Sequence, residues 1–326
     1  MINDSRHLLR KSLMAPNQFS SGDVIADRRA DYARMLAEGG DYPAAAELME
    51  QALELAPRWT AGWFRFGEYL EKAGETTKAV AAYEKVAEMD GEGLFAAELK
   101  LAVLGAAETP EQPPSRYVEG LFDDYADRFE TSLVEKLDYS VPQKLAELIA
   151  QEADGSVFDT VVDIGCGTGL LGIEIRSMAK RLEGFDISQN MLAKAEEKGL
   201  YDHLAQADLS LEMETSGLFT PLLREHRADL VAAADVMMYL GSLESVMPLV
   251  SALLRPSGLF AFSVEDAGDE QGFVLRESLR YAHSKSYVVD LLERSSFSPI
   301  EIRKTTIRKD AGKPLSGILF LARAKA

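Results

Sequence analysis

The segment Asp163-Ile164-Gly165-Cys166-Gly167-Thr168-Gly169 constrains this chain more than any other. It follows an apolar run, Val157 to Ile164, and precedes the stretch Leu170 to Met178, which reads as a helix. A buried strand that turns into a helix through glycines is therefore expected here. Gly165, Gly167 and Gly169 permit a tight turn and let a ligand lie against bare backbone. The spacing G-x-G-x-G departs from the dinucleotide pattern G-x-G-x-x-G, and the Gly-Lys-Ser/Thr of a phosphate loop is absent. Asp163, two residues ahead of the first glycine, would repel pyrophosphate and attract a cationic ligand.

Strands and helices alternate around this loop. Residues 117 to 150 read as two helices, the first carrying Tyr117, Leu121, Phe122, Tyr125 and Phe129, the second with Pro142 in its first turn. Further strands are expected at Leu182 to Asp186, before Asp208, at Ala228 to Ala234 and at Gly258 to Val264. Helices are expected at Asn190 to Lys198, Leu243 to Leu254 and Tyr287 to Ser295. Glu301 to Ile307 and Gly317 to Ala322 close the chain as strands. The pattern predicts an α/β fold with a parallel sheet, helices on both faces and a late antiparallel strand pair. Ligands of such sheets bind at the carboxyl ends of strands. Asp163, Asp186, Asp208 and Asp235 all fall at or just after such ends, which suits a ligand rich in hydroxyls, amino groups and positive charge.

Through these features, residues 117 to 326 resemble a Rossmann-like class I S-adenosylmethionine-dependent methyltransferase. The resemblance rests on Val161 to Gly169, Gly184-Phe-Asp-Ile-Ser188, Gln206-Ala-Asp-Leu209 and Leu253-Leu-Arg-Pro-Ser-Gly-Leu259, in the family's order and spacing. It is also similar to the small-molecule group that includes trans-aconitate and malonyl-carrier-protein carboxyl methyltransferases. The resemblance implies that Gly165, Cys166, Gly167 and Gly169 cradle the methionine moiety, with Asp163 near its amine. It implies Asp186 on the ribose, Ile187 and Met191 against the adenine, Asp208 on the adenine amino group, and Leu209 beside it. Ala233 and Ala234 would line the far side, and Tyr117 and Tyr125 would lie in a segment that lids the cofactor. S-adenosylhomocysteine would be the product.

Methyl transfer is an in-line displacement that needs alignment and sometimes removal of a proton, so no strong catalytic motif is required. After the fourth strand the chain reads Ala233-Ala-Asp-Val-Met-Met-Tyr-Leu240, without the Asn/Asp-Pro-Pro-Tyr motif of amide and adenine amino methyltransferases. Acceptor-site candidates are Tyr125, Asp235 and His283 for catalysis, and Tyr239, Arg280, His283 and Tyr287 for substrate binding. His283 has an unperturbed pKa near neutrality, suited to a general base, and Arg280 suits a carboxylate clamp. Asp235 also reads as a helix cap, and the Tyr117–Phe129 aromatics as one buried helix face. No His/Cys/Glu cluster has metal-ligand spacing, so no metal is expected.

The first third repeats itself with a period of 34 between residues 26 and 93. Tyr32 aligns with Phe66, Gly40 with Gly74, Ala45 with Ala79, and Met49 with Tyr83. Small residues recur where helices must approach closely. This region is similar to tetratricopeptide repeats through Trp63, Phe66, Gly67, Ala79, Tyr83 and Val86, and through Ala33, Ala45, Ala52 and Pro57; Arg29 stands where the signature Trp would be. A helix at residues 94 to 105 would close the array. The repeats read either as a peptide-binding groove or as a structural module, which includes homodimerisation. Glu108 to Ser115, with three prolines, reads as a stiff linker.

The expected organisation is a mobile tail at 1–24, all-α tetratricopeptide-like repeats at 25–107, a linker at 108–116, and the methyltransferase domain at 117–326. Acids outnumber bases 53 to 35, and the net charge of −18 weighs against nucleic acid or an anionic membrane as partner. The seven Lys/Arg among the last 26 residues read as a solvated strand edge. The lone cysteine, Cys166, excludes an intrachain disulfide and suits the cytoplasm. The function expected is methyl transfer to a small metabolite, carboxylated ones among the candidates. The alternatives are a protein methyltransferase that recruits its target through the repeats, and a non-catalytic scaffold or sensor.

Overall fold

The computed structural model describes residues 20–130, 139–310 and 313–325. The tail expected at 1–24 lies outside them up to residue 19, but Ser20 to Asp23 are built into a helix start. Ser21 N–H donates to Asp27 (2.8 Å), and Asp23 accepts from Ile25 and Ala26 N–H. The chain divides into two compact units after Thr109.

The first unit is helical: α1 (Val24–Glu38), α2 (Tyr42–Leu55), α3 (Thr60–Lys72), α4 (Thr76–Met89) and α5 (Ala97–Val103). Each of the first two hairpins turns at a left-handed glycine, Gly40 (φ 85°) and Gly74 (φ 81°). Ala33, Ala45 and Ala79 are fully buried because the helices approach closely where these small residues recur. At Gly67 an added Cβ would lie 2.7 Å from the ring of Tyr83.

The second unit opens with a proline-rich strap, not a free linker. The Pro110 carbonyl accepts from Tyr281 OH (2.9 Å), the Glu111 carbonyl from Ser242 N–H (2.7 Å), and Gln112 Nε2 donates to the Ser242 carbonyl. Proline carbonyls have no internal partner in an extended segment, and here the body of the unit supplies the donors. Next come α6 (Ser115–Tyr125) and α7 (Val141–Ala153), then β1 (Phe158–Ile164), α8 (Leu170–Ile175), β2 (Ala179–Asp186), α9 (Gln189–Glu197) and β3 (His203–Gln206). They are followed by β4 (Ala228–Ala233), α10 (Val246–Leu253), β5 (Leu254–Asp266), β6 (Phe273–Leu275), β7 (Tyr281–His283), α11 (Lys285–Arg294), β8 (Phe297–Asp310) and β9 (Lys313–Ala324).

The sheet runs β3-β2-β1-β4-β5 in parallel. β9 pairs antiparallel with β5 over Leu259–Glu265, and β8 pairs with β9. The last two residues of β5 also pair with β7, which forms a short hairpin with β6. Every residue of β4 is buried, as helices on both faces require. Val162, Val231 and Phe262 pack toward α10 and α11; Val161, Leu230 and Ala261 pack toward α7 and α8. The strand order reverses between β1 and β4, so a crevice opens beyond their carboxyl ends.

Two expectations change. The β6–β7 hairpin lies between the strand expected at Gly258 to Val264 and the helix expected from Tyr287, where no strand is expected. The C-terminal basic residues are not all solvated, because Arg308 is 2% exposed. The pairing skips from Thr306↔Ser316 to Arg308↔Leu315, leaving Ile307 as the extra residue of a bulge. Strict alternation would put Ile307 and Arg308 on opposite faces; the bulge buries both.

Candidate active site

A cavity of about 390 Å³ fills this crevice. Its floor is the glycine loop. Gly165 (φ 68°) and Gly167 (φ 53°) take left-handed conformations that disfavour side chains. A Cβ on Gly165 would lie 2.4 Å from Val236 Cγ2. Cys166 N–H donates to the Phe185 carbonyl (2.9 Å), which pins the loop to β2. The Cys166 side chain is buried off the cavity wall, and burial with acidic neighbours pushes its thiol up. Gly169 also lies behind the wall, where it starts α8.

Asp186 ends β2 and faces the cavity. Its two oxygens accept from Gly167 N–H (2.8 Å) and Ser188 N–H (2.9 Å). Burial pushes its carboxyl up to about 6 in spite of these donors. Ile187, Asp208 and Leu209 continue the same wall. Asp208 Oδ1 accepts from Ser210 N–H (2.9 Å) and from Ser210 Oγ (2.6 Å), which fixes its rotamer. Met191 is fully buried below the wall, in the first turn of α9. Ala234 lines the cavity, whereas Ala233 is buried in β4.

Asp163 lies behind the loop, 1% exposed. Its Oδ2 accepts from Tyr201 OH (2.7 Å), and its Oδ1 has no partner among the described residues. Burial pushes the carboxyl up to about 7; the Tyr201 bond opposes this and the Asp186 charge adds to it. Tyr201 was not apparent from the sequence. Its signal is steric: added Cβ atoms at Gly172 and Gly184 would both come within 3 Å of its ring.

The roof comes from α6 and the turn after it. Tyr117, Phe122, Tyr125 and Phe129 all line the cavity. The ring centroids of Phe122 and Tyr239 are 4.9 Å apart, and those of Tyr125 and Phe129 5.5 Å, edge to face. No residue of α6 is fully buried, so core packing does not hold the helix down. Polar ties to the start of α9 do: Asp123 Oδ1 accepts from Ser188 Oγ (2.6 Å) and Asn190 N–H (3.2 Å).

The far end holds Asp235, Tyr239, Ser278, Arg280, Arg308 and Tyr139. Asp235 has a left-handed backbone (φ 57°). Its N–H donates to Ser263 Oγ (2.8 Å), and its Oδ2 accepts from Arg308 (2.7 Å). Burial pushes Asp235 up and the Arg308 guanidinium opposes it. Arg308 also donates to Glu265, which lies 3.6 Å from Arg280 Nε. Arg308, Glu265 and Tyr139 escaped the sequence reading. Arg308 looked like one more lysine-rich edge residue, and only the bulge at Ile307 turns it inward.

The structure does not bring His283 to the cavity. The residue is fully buried in β7, off the cavity wall. Its Nε2 lies 2.9 Å from the Gly241 carbonyl, which can only accept, so Nε2 carries the proton. Burial pushes its pKa down to about 4. Tyr287 is also diverted: its hydroxyl accepts from Leu243 N–H (2.9 Å), and its ring stacks on His283. Both residues serve the packing of the β6–β7 hairpin. Among the described residues no group of His, Cys, Asp and Glu could hold a metal, and no helix is long and apolar enough to cross a membrane.

The pairing of a glycine loop with strand-end acids and an orphaned buried carboxylate oxygen fits a nucleoside that carries positive charge. Residues 157–296 match the family model described as a methyltransferase domain. Fold and motif together define a class I S-adenosylmethionine-dependent methyltransferase domain. Among curated proteins, the chain is 31% identical over 144 residues to trans-aconitate 2-methyltransferase of Delftia acidovorans, covering 43% of this chain and 51% of that one. It is 25% identical over 120 residues to a ubiquinone biosynthesis O-methyltransferase of Pasteurella multocida, covering 35% and 50%. The chain thus spans about half the length of these relatives. The 1,6-didemethyltoxoflavin-N1-methyltransferase of Burkholderia thailandensis shares the fold, with 18% identity and a TM-score of 0.50 over 68% of this chain and 94% of that one.

Proposed function

We propose that this chain transfers the methyl group of S-adenosylmethionine to a small, carboxylated acceptor held at the far end of the cavity. The observation that carries this reading is Arg280 on the cavity wall, beyond the glycine loop and under an aromatic roof. The names of the two curated relatives support a small acceptor, and that of trans-aconitate 2-methyltransferase a carboxylated one. When bound, the cofactor supplies an electrophilic methyl on a positive sulfur; attack in line releases a neutral thioether.

The chain's own residues would do the rest. Asp186 would accept from the ribose hydroxyls with the lone pairs its two backbone donors leave. Asp208 would accept from the adenine amino group, beside Ile187 and Leu209. Asp163, with its unpartnered Oδ1 behind the loop, would draw the amine of the methionine moiety. The roof from Tyr117 to Phe129 would exclude water and strengthen each polar contact. A carboxylate nucleophile needs no base; for a protonated acceptor, Asp235 is the group on the wall that would take the proton, and Tyr125 lines the same cavity.

Residues 117–326 would form the catalytic domain and 25–107 a tetratricopeptide-like module, with the cytoplasm as the compartment. A second reading, methylation of a protein recruited by the helices, draws on the face of α1 that exposes Val24, Tyr32 and Met35. Full-length protein incubated with radiolabelled cofactor and cell extract separates the two. Label in the small-molecule fraction supports the first reading, and label in protein alone refutes it. The absence of any transfer, together with no calorimetric binding of the cofactor, refutes both.

A further inference from the structure

Arg308 reaches the cavity through a local irregularity. Ile307 is the extra residue of the β8 bulge and packs over Gly317, where an added Cβ would lie 2.4 Å from Ile307 Cγ2. That seat for Ile307 turns Arg308 inward. Bulges beside binding sites re-aim side chains in this way. Once inside, the Arg308 guanidinium spans two strand ends: Nη1 donates to Asp235 after β4, and Nη2 to Glu265 near the end of β5. Ser263 Oγ donates to the other oxygen of Asp235 (3.2 Å), and Glu265 flanks Arg280. The two cations and two carboxylates balance. Such a buried network is weak grounds for stability, since its desolvation cost cancels most of its attraction. What it does do is fix geometry, and the two groups it fixes, Asp235 and Arg280, both line the cavity.

We infer that Arg308 is a positioning residue of the acceptor site: by bridging Asp235 and Glu265 it holds Asp235 and Arg280 in the arrangement that admits an anionic acceptor in preference to a neutral one of the same shape. The inference rests on the proposed reading of the cavity as the site of methyl transfer. Only a planar fork can span both carboxylates; a lysine in its place keeps the charge and loses the bridge.

The test uses the full chain saturated with S-adenosylhomocysteine and titrated calorimetrically with benzoate and with benzamide. These probes share an apolar ring suited to the aromatic roof and differ in charge. The wild type should prefer benzoate by about tenfold. Arg308→Lys and Arg308→Gln should shrink that preference to about threefold or less, with affinity for benzamide and for S-adenosylhomocysteine little changed. A merely structural role would weaken both probes together and leave their ratio alone. An unchanged ratio in both variants, or no preference in the wild type, overturns the inference. If the Arg308 variants do not fold, Glu265→Gln loosens the same bridge from its other end, and an unchanged ratio there is equally fatal. Failure of the wild type to bind S-adenosylhomocysteine counts instead against the methyl-transfer reading.

Discussion

Asp163→Asn should make the ligand-free protein more stable and the cofactor site worse. Asp163 is buried with one oxygen unpartnered, and its carboxyl is pushed up to about 7. In the unfolded chain it returns to the ordinary value of about 3.9. Between these two values the folded chain binds the proton that the unfolded chain releases. Its contribution to stability is therefore full below about pH 4, is lost as pH rises toward 7, and stays lost above that. Three units correspond to about 4 kcal/mol at most, and coupling to Asp186 makes about 2–3 kcal/mol the working figure. Asparagine does not ionise, and its Oδ1 still accepts from Tyr201. The variant should match the wild type near pH 4 and exceed it near pH 8 by that amount, or roughly 5–10 °C in Tm for a domain of about 200 residues. Thermal melts of ligand-free protein across this range measure the difference. Calorimetry with S-adenosylmethionine should meanwhile show weaker binding, because the variant offers the amine no charge. A variant no more stable than the wild type at pH 8, or a parallel pH slope in the two proteins, would falsify the account of a desolvated carboxylate.

Three further substitutions probe the site and its surroundings. Asp186→Asn must turn an amide nitrogen toward either Gly167 N–H or Ser188 N–H, donor against donor, so the Kd for S-adenosylhomocysteine should rise about 10–100-fold; a change under about threefold would remove Asp186 from the ribose site. Gly165→Ala adds about 1–2 kcal/mol of left-handed strain and a contact with Val236, and should abolish cofactor binding. Val236→Ala should restore part of that binding in the double variant, and no rescue would mean that the contact is irrelevant. His283→Phe leaves the Gly241 carbonyl without its donor and should cost about 1–2 kcal/mol in denaturant melts, with the transfer rate per folded molecule unchanged. A large loss of rate without loss of stability would return His283 to the catalytic machinery.

Much of this site was legible because its signals are local. The run from Val161 to Gly169 contains its own strand, turn and helix start. Asp186 and Asp208 stand where apolar runs stop, and the structure brings both to one cavity with Gly165, Gly167 and Ala234. The small residues repeated at 34-residue spacing in the first unit mark close helix approaches in the same local way. Less legible were features only a few residues long. Three-residue strands such as β6 and β7 carry too little pattern to distinguish from a loop, so the burial of His283 in β7 is not legible in the sequence.

The amino-acid sequence by itself determined the glycine-loop end of the cavity, because a glycine turn and a strand-end carboxylate are consequences of neighbouring residues. At the other end the sequence offered Asp235 and Arg280 singly, and only tertiary structure joins them to Glu265 and Arg308. Asp235, Glu265, Arg280 and Arg308 come from four separated stretches of chain, and no periodicity links them. One of them points inward only because β8 holds an extra residue relative to β9, a register that pairing between strands sets. Side-chain direction in a strand depends on counting from the pairing partner, and that count cannot be taken from one strand alone.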